Sequence, residues 1–137
     1  MPSRDINDLS AQFRPAAAMW LEDCRRAGLD ILVTCTLRSH EEQAELYKIG
    51  RTKKGADVTA SRPMGRRVTN AKPGQSAHQY GLALDFVPMV GGKPMWNDAK
   101  RFDTAIRLAE AHGMHSLRPM ETAHLEVAGF DWREYMK

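Results

Sequence analysis

A short segment near the middle of the chain carries a histidine and an aspartate in a pattern that suits a metal ion. His78 lies in a glycine-containing turn, and Asp85 follows seven residues later inside an apolar run, residues 82–87. A bare carboxylate is costly to bury, so Asp85 must be paired, hydrogen-bonded or bound to a cation. Zinc accepts both histidine nitrogen and aspartate oxygen, and catalytic zinc sites usually have three protein ligands. Spacing alone also allows a capped turn with a surface histidine and a salt-bridged aspartate.

A second segment, near the C-terminus, places a carboxylate three residues before a histidine. His124 could be a third metal ligand, and Glu121 could accept the proton of an attacking water molecule. On a regular strand, residues three apart point to opposite faces, so Glu121 would need an irregular lead-in to approach His124. Glu126 is the competing carboxylate, because it shares a strand face with His124. Alone, the Glu-x-x-His spacing has little specificity.

Arg38 completes the set of residues that could do chemistry. It follows an apolar strand directly and precedes a helix cap, so its guanidinium could emerge at the edge of the sheet. There it could hold a substrate carboxylate or an oxygen that becomes negative during the reaction. An ordinary surface arginine is the alternative. The two cysteines, Cys24 and Cys35, lack the spacing of a paired-cysteine metal site, and we expect two buried, reduced thiols.

The elements that must position these side chains are predicted by periodicity and capping. Helical spacing predicts three helices, over residues 5–27 (divided at Pro15), 40–49 and 99–112, the second of which begins with a capping box of Ser39 and Glu42. Apolar runs predict three strands, over residues 31–36, 82–87 and 124–127, and Gly91-Gly92 predicts the turn of a hairpin over residues 87–94. Between them, residues 51–77 are rich in Gly, Pro, Lys and Arg and predict a long loop. This order predicts an α+β domain with a small sheet.

Length and composition restrict the classes of protein that need to be considered. The 137 residues, 42% hydrophobic and 27% charged, fit one compact domain. No apolar run approaches the roughly 20 residues that span a bilayer, and the polar N-terminus lacks the apolar centre of a signal peptide. The net charge of +3 permits polyanionic partners, among them nucleic acid and anionic wall polymers. No nucleic-acid motif is present, so we expect no nucleic-acid partner and no membrane insertion.

Three motifs, in this order, resemble one family: Thr-Leu-Arg-Ser at residues 36–39 with the following Glu-Glu-Gln at 41–43, Ser-Ala-His-Gln-Tyr-Gly-Leu-Ala-Leu-Asp at 76–85, and Glu-x-x-His at 121–124. They resemble the zinc D-alanyl-D-alanine carboxypeptidase and dipeptidase family of the vancomycin-resistance type, which includes phage L-alanyl-D-glutamate endolysins. The resemblance covers about residues 14–127. It implies a hedgehog/DD-peptidase-like fold, in which helices flank a small antiparallel sheet, within a single peptidase domain over residues 1–137.

The resemblance also implies roles for individual residues. It assigns three zinc ligands: His78, Asp85 and His124. Glu121 matches the catalytic acid/base, and Arg38 matches the catalytic arginine that contacts substrate and stabilises the intermediate. Ser76 matches a serine at the edge of the substrate-binding site. The implied reaction is hydrolysis of a peptide bond by metal-activated water, with Zn²⁺ as the cofactor.

One stretch departs from the family pattern and bears on specificity. Many endolysin-type relatives have Trp-Gly-Gly-Asp-Trp before the catalytic acid, whereas residues 114–120 read Met-His-Ser-Leu-Arg-Pro-Met. The missing aromatic residues alter one wall of the substrate pocket. We predict an endolysin-type L-alanyl-D-glutamate endopeptidase that hydrolyses peptidoglycan stem peptides. The alternatives are a D-alanyl-D-alanine carboxypeptidase and a non-catalytic zinc-containing module that binds the cell wall.

The same interpretation predicts where the protein is made and where it acts. With no signal peptide in the sequence as written, we expect synthesis in the host cytoplasm and action on the cell wall or periplasm after release. We expect a monomer whose partners are peptidoglycan stem peptides.

Overall fold

The computed structural model describes residues 2–119 and 121–136. Within these residues the α-helices are α1 (Arg14–Arg26), α2 (His40–Lys48) and α3 (Ala99–Glu110). The strands are β1 (Asp30–Cys35), β2 (Ala83–Val90), β3 (Lys93–Pro94), β4 (Met114–Leu117) and β5 (Glu121–Val127). A short 3₁₀ helix, Ala77–Tyr80, precedes β2. None of the helices in the described residues is long and apolar enough to cross a membrane.

The strands form one antiparallel sheet in the order β1-β2-β5-β4, with β3 paired to β2. The β2–β3 hairpin turns at Gly91 and Gly92, as their sequence predicts. On the central strands, Asp85 is paired with Cys35 of β1 and with His124 of β5. The predicted fold class, α+β with a small antiparallel sheet flanked by helices, is confirmed.

The helices begin where the sequence provides caps. Pro15 stands in the first turn of α1, where its missing N–H is not needed. Ser39 and Glu42 form a reciprocal capping box at the start of α2, as predicted. The Asp98 carboxylate accepts from the Arg101 amide and so caps α3.

The hydrophobic core lies between the sheet and helices α1 and α3. Trp20 of α1 is fully buried, and its indole N–H donates to the Ala105 carbonyl of α3 at 2.8 Å. Phe86 of β2 packs edge-on against Trp20, with ring centroids 5.1 Å apart, and also contacts Phe102. Cys24, buried beside them in the same core, confirms the expectation of a buried thiol.

Strand β4 is absent from the sequence-based prediction. Its four residues alternate between buried and less buried positions, Met114 and Ser116 being buried. A run this short with a histidine and a serine has little strand signal, and pairing with β5 is what stabilises it. The strand therefore occupies most of the 114–120 stretch that departs from the family pattern, and Met120 lies outside the described residues.

The long loop predicted over residues 51–77 is present, and it is folded. Its two limbs are joined by backbone hydrogen bonds from Gly55 to Met64, at 2.8 Å, and from Arg66 to Ala56, at 2.7 Å. Gly50 allows a close crossing, because a Cβ atom there would lie 2.7 Å from the amide nitrogen of Arg67. The loop is thus an ordered protrusion beside the C-terminal end of α2.

Candidate metal centre

The candidate ligands meet because cross-strand pairing places three side chains side by side. Directly opposed residues on antiparallel strands point to the same face, so Cys35, Asp85 and His124 form a row across β1, β2 and β5. His78 reaches this row from the 3₁₀ helix that precedes β2. Residues 78, 85 and 124, which sequence reasoning assigned together, are therefore brought together by the sheet.

A tight turn lets His78 fold back over the strand that carries Asp85. Ser76 caps the 3₁₀ helix, and its hydroxyl accepts from the His78 amide at 3.3 Å. Gly81 then adopts a left-handed conformation with φ of 69°. A Cβ atom at Gly81 would lie 2.6 Å from the Ser10 amide nitrogen, so the turn requires glycine.

Hydrogen bonding fixes which nitrogen of His78 faces the carboxylate. The ring is almost fully buried, with 2% of its surface exposed. Its Nδ1 donates to the Thr36 carbonyl at 2.7 Å, which leaves Nε2 facing Asp85 Oδ1 at 3.1 Å. A backbone carbonyl that holds one imidazole nitrogen is the usual way of orienting a metal-ligating histidine.

His124 is oriented through its Nε2, whereas His78 is oriented through its Nδ1. Its Nε2 donates to Glu126 Oε1 at 2.8 Å, and its Nδ1 faces Asp85 Oδ1 at 3.3 Å. Glu126 shares the strand face of His124, as the sequence predicted, but here it orients a candidate ligand. The Asp85 carboxylate therefore lies between two imidazole nitrogens, each of which has its other nitrogen already bonded.

The electrostatics of this cluster favour positive charge beside Asp85. Burial by itself would raise the pKa of the Asp85 carboxyl, but hydrogen bonds and charge from His124 and His78 outweigh burial and hold the pKa well below its usual range. Burial opposes the charged form of His78, yet the Asp85 bond raises its pKa to about 9. The pKa of His124 is likewise raised against burial, by Asp85 and Glu126. The same attraction to Asp85 that favours protonated imidazoles would favour a bound cation.

The donor types fit a zinc ion, and so do two of the three separations between the donor atoms. Ligands about 2.0–2.1 Å from a tetrahedral centre are separated from one another by about 3.3 Å. The two imidazole nitrogens lie 3.1 Å and 3.3 Å from Asp85 Oδ1, which matches this separation. Two neutral imidazoles and one carboxylate are also the ligand types that catalytic zinc sites use. Residues His78, Asp85 and His124 could therefore hold a metal.

Cys35 lies close to the same cluster, which the sequence did not predict. Ligand atoms of Cys35, His78 and Asp85 all lie within 4.8 Å of one another, a grouping that could also hold a metal ion. The thiol approaches His78 at Nδ1, at 3.8 Å, which is the nitrogen that already donates to Thr36. Cys35 is buried, as expected, but its position at the end of β1, three residues before Arg38, was the available indication of its nearness to the site.

Arg38 lies beside the carboxylate, as its place after β1 suggested. Its Nη2 is 3.5 Å from Asp85 Oδ2, and its Nη1 donates to Gln43 Oε1 at 2.7 Å. Its buried Nε has no hydrogen-bond partner within residues 2–119 and 121–136. Gln43, fully buried on α2, was not predicted as a site residue. Its place in the Glu-Glu-Gln run, residues 41–43, that follows the first family motif was the available indication.

The structure gives Glu121 a less direct relation to the cluster. It is the first residue of β5, is partly buried and is paired across to Leu117 of β4. The pairing shifts register between Ser116 and Leu117, so β5 is irregular before His124, as the spacing of Glu121 and His124 required. The role of Glu121 as an acid/base stays a prediction.

A model of the VanY D-alanyl-D-alanine carboxypeptidase family matches residues 7–132. Among individual relatives, the peptidoglycan L-alanyl-D-glutamate endopeptidase CwlK of Bacillus subtilis (strain 168) is 49% identical over 59 residues. These residues are 43% of this chain and 29% of the relative, so the chain matches less than a third of that protein's length.

Solved structures show the same fold at lower identity. The vancomycin resistance D,D-pentapeptidase VanY, as a mutant in complex with Zn(II), superposes with a TM-score of 0.69 at 18% identity, over 94% of this chain and 84% of that chain. The L-Ala D-Glu endopeptidase ChiX of Serratia marcescens superposes with a TM-score of 0.63 at 16% identity, over 98% of this chain and 92% of that chain.

Proposed function

Because this chain belongs to the VanY family of D-alanyl-D-alanine carboxypeptidases, we propose that it is a zinc-dependent peptidase that hydrolyses peptidoglycan stem peptides. The observation that carries the proposal is the convergence of His78, Asp85 and His124, with each imidazole held at its far nitrogen. A VanY relative whose structure contains Zn(II) supports the choice of metal. In this proposal, residues 1–137 form one peptidase domain.

The roles of the surrounding residues follow from their positions. When bound, Zn²⁺ supplies a Lewis acid that polarises the peptide carbonyl and lowers the pKa of water. Glu121 accepts the water proton and returns it to the leaving amine. Arg38 places a guanidinium beside the developing oxyanion. Ser76 contributes to the edge of the substrate site.

We favour cleavage between L-alanine and D-glutamate, in the manner of an endolysin. Two relatives with this specificity in their names, CwlK and ChiX, support that choice. A D-alanyl-D-alanine carboxypeptidase is the alternative within the family, and the family's own description supports it. We further propose that the protein acts as a monomer on the cell wall, after release from the cytoplasm of a host cell. It would have no nucleic-acid partner.

Cleavage of defined muropeptides, followed by mass spectrometry, tests the proposal. We expect a stem peptide that begins at D-glutamate, loss of this product with a chelator, and its return with Zn²⁺. Glu121→Gln should lower turnover by about 10²- to 10⁴-fold and keep the metal. The matched control is Glu110→Gln, an exposed acid at the end of α3. Release of D-alanine alone would assign the carboxypeptidase, and unchanged turnover by Glu121→Gln would contradict the role of Glu121.

The nearness of Cys35 favours one candidate of another class, a non-catalytic zinc module. A fourth protein ligand would close the site, as in structural zinc centres. Against it, the thiol lies at the His78 nitrogen that donates to Thr36, away from Nε2. Cys35→Ser separates the two cases. If the site is catalytic and has three ligands, Cys35→Ser keeps its zinc and its turnover. If the site is closed by four ligands, the unchanged protein shows no turnover and Cys35→Ser binds zinc more weakly.

A further inference from the structure

The positive charge of this protein is concentrated in one segment. Residues 51–72 contain seven of the twenty Lys and Arg residues and one of the seventeen Asp and Glu residues, a net charge of +6. The rest of the chain therefore carries −3, although the whole carries +3. A charge distribution of this kind attracts a polyanion to one side of a molecule.

This segment, which we term the basic loop (residues 51–72), builds one wall of a cavity with a volume of about 810 Å³. Four arginines line the cavity: Arg51, Arg62, Arg66 and Arg67. The cavity shape depends on close backbone contact, since a Cβ atom at Gly65 would lie 2.6 Å from the Gly55 carbonyl oxygen. The arginines thus project from an ordered framework.

Of these four arginines, only Arg66 has an acidic partner among the described residues. Arg66 lies 3.4 Å from the Asp57 carboxylate, with both side chains largely exposed. Arg51 stacks on the Tyr47 ring, 3.7 Å from its centroid, and donates to the Tyr47 carbonyl. The guanidinium groups of Arg62 and Arg67 are exposed and form no ion pair within residues 2–119 and 121–136. They are available to an external anion.

A short chain of hydrogen bonds links the lining of the cavity to the candidate metal centre. Arg51 donates to the Thr69 carbonyl at 3.1 Å, and the Thr69 hydroxyl accepts from Gln43 at 3.3 Å. Gln43 in turn accepts from Arg38 at 2.7 Å, and Arg38 faces Asp85. The lining of the cavity and the candidate metal centre are therefore parts of one hydrogen-bonded network.

We propose that the basic loop binds a phosphodiester-linked polyanion of the cell wall and so keeps the enzyme on its insoluble substrate. Guanidinium groups pair bidentately with phosphate oxygens, and several arginines on one cavity match an anion with repeated charges. A stem peptide, with few carboxylates, would leave most of these arginines without a partner. The inference rests on the proposed function for the location of the polymer, and the binding itself requires no catalysis.

Retention of the full-length protein on immobilised poly(glycerol phosphate) tests the inference, with duplex DNA of equal charge as a second probe. We expect salt-dependent binding to poly(glycerol phosphate) that Arg62→Gln/Arg67→Gln weakens about tenfold at low salt. Loss of two phosphate contacts should reduce the slope of log affinity against log salt by about 1.4, the value per contact being that of a single-stranded polyanion. Arg62→Lys/Arg67→Lys, which keeps the charge but cannot pair bidentately, should restore only part of the binding.

The matched control is Lys93→Ala/Lys100→Ala, which removes the same charge from exposed positions on β3 and α3. It should bind as the unchanged protein does, and thermal unfolding checks that each variant is folded. Equal weakening by the control would mean that net charge alone drives retention, and the inference would be wrong. Absent binding, or tighter binding to DNA, would overturn it too. The retention assay measures binding to poly(glycerol phosphate) and does not require hydrolysis. A protein that binds this polymer but hydrolyses no stem peptide would therefore refute only the peptidase proposal.

Discussion

The two faces of the central sheet differ sharply although they alternate along the same strand. On β2, Phe86 packs against aromatic rings of α1 and α3, whereas the preceding residue, Asp85, faces two imidazoles and a guanidinium. The first face is held by apolar burial, which is non-directional. The second is held by hydrogen bonds that fix single nitrogens and oxygens. Stability and chemistry are thus assigned to different faces, and changes to one should leave the other largely intact.

The largest effect is expected from Asp85→Asn on the polar face. The amide lacks the charge that balances two imidazoles, so zinc affinity should fall by more than about 100-fold and hydrolysis should become undetectable. Helices α1 and α3 do not contact this side chain through any hydrogen bond or ion pair in the described residues, so the fold should persist. Titration with zinc, with circular dichroism as the check on folding, measures both. A variant that binds zinc normally would remove Asp85 from the ligand set.

Trp20→Ala, on the apolar face, should have the converse effect: stability falls while zinc binding is kept. This change removes a fully buried indole and its bond to Ala105, at a cost of about 3–5 kcal/mol in the free energy of unfolding. Zinc affinity of the folded fraction should stay the same. Denaturant unfolding measures the loss, and Met19→Ala, on the exposed side of the same helix, should change stability by less than about 0.5 kcal/mol. Weaker zinc binding in folded Trp20→Ala would show that the faces are coupled.

The pH dependence should differ between the metal-free and the zinc-bound protein. A pKa of His78 raised from 6.5 to about 9 adds stability that is complete below pH 6.5 and is lost as pH rises through about 9. Zinc must displace these protons, so its affinity should rise by at least about tenfold per pH unit between pH 6 and 8. Thermal unfolding across this range, with and without zinc, shows both trends. Parallel trends in the two forms would mean that the imidazoles are already neutral.

The smallest expected effect is a difference in reactivity between the two thiols, which probes each face directly. Burial raises the pKa of Cys24, on the apolar face, to about 11. Burial also opposes ionisation of Cys35, but its contacts with His78 and Arg38 outweigh burial and lower its pKa. In metal-free protein, Cys35 should therefore react with iodoacetamide at least about tenfold faster than Cys24. Mass spectrometry of digested samples gives the two rates, and equal rates would mean that both thiols are governed by access alone.

Local sequence determined much of the architecture. The periodicity of residues 99–112, the cap at Ser39 and the turn at Gly91 are short-range features, and each element formed where they predicted it. Spacing within residues 76–85 likewise brought His78 to Asp85, because a single left-handed glycine completes that turn. These features need no partner from elsewhere in the chain. Sequence patterns can therefore predict them.

Other features depend on residues far apart in the chain, which only the tertiary structure could bring together. Pairing across β2 and β5 sets His124 against Asp85, and pairing across β1 adds Cys35, which no local pattern indicated. Strand β4 forms because β5 supplies its hydrogen bonds. The choice of imidazole nitrogen was likewise decided by distant oxygen atoms, the Thr36 carbonyl for His78 among them. The sequence by itself determined which ligands are available, whereas the sheet determined their geometry, because cross-strand register is a property of paired backbones and not of either strand alone.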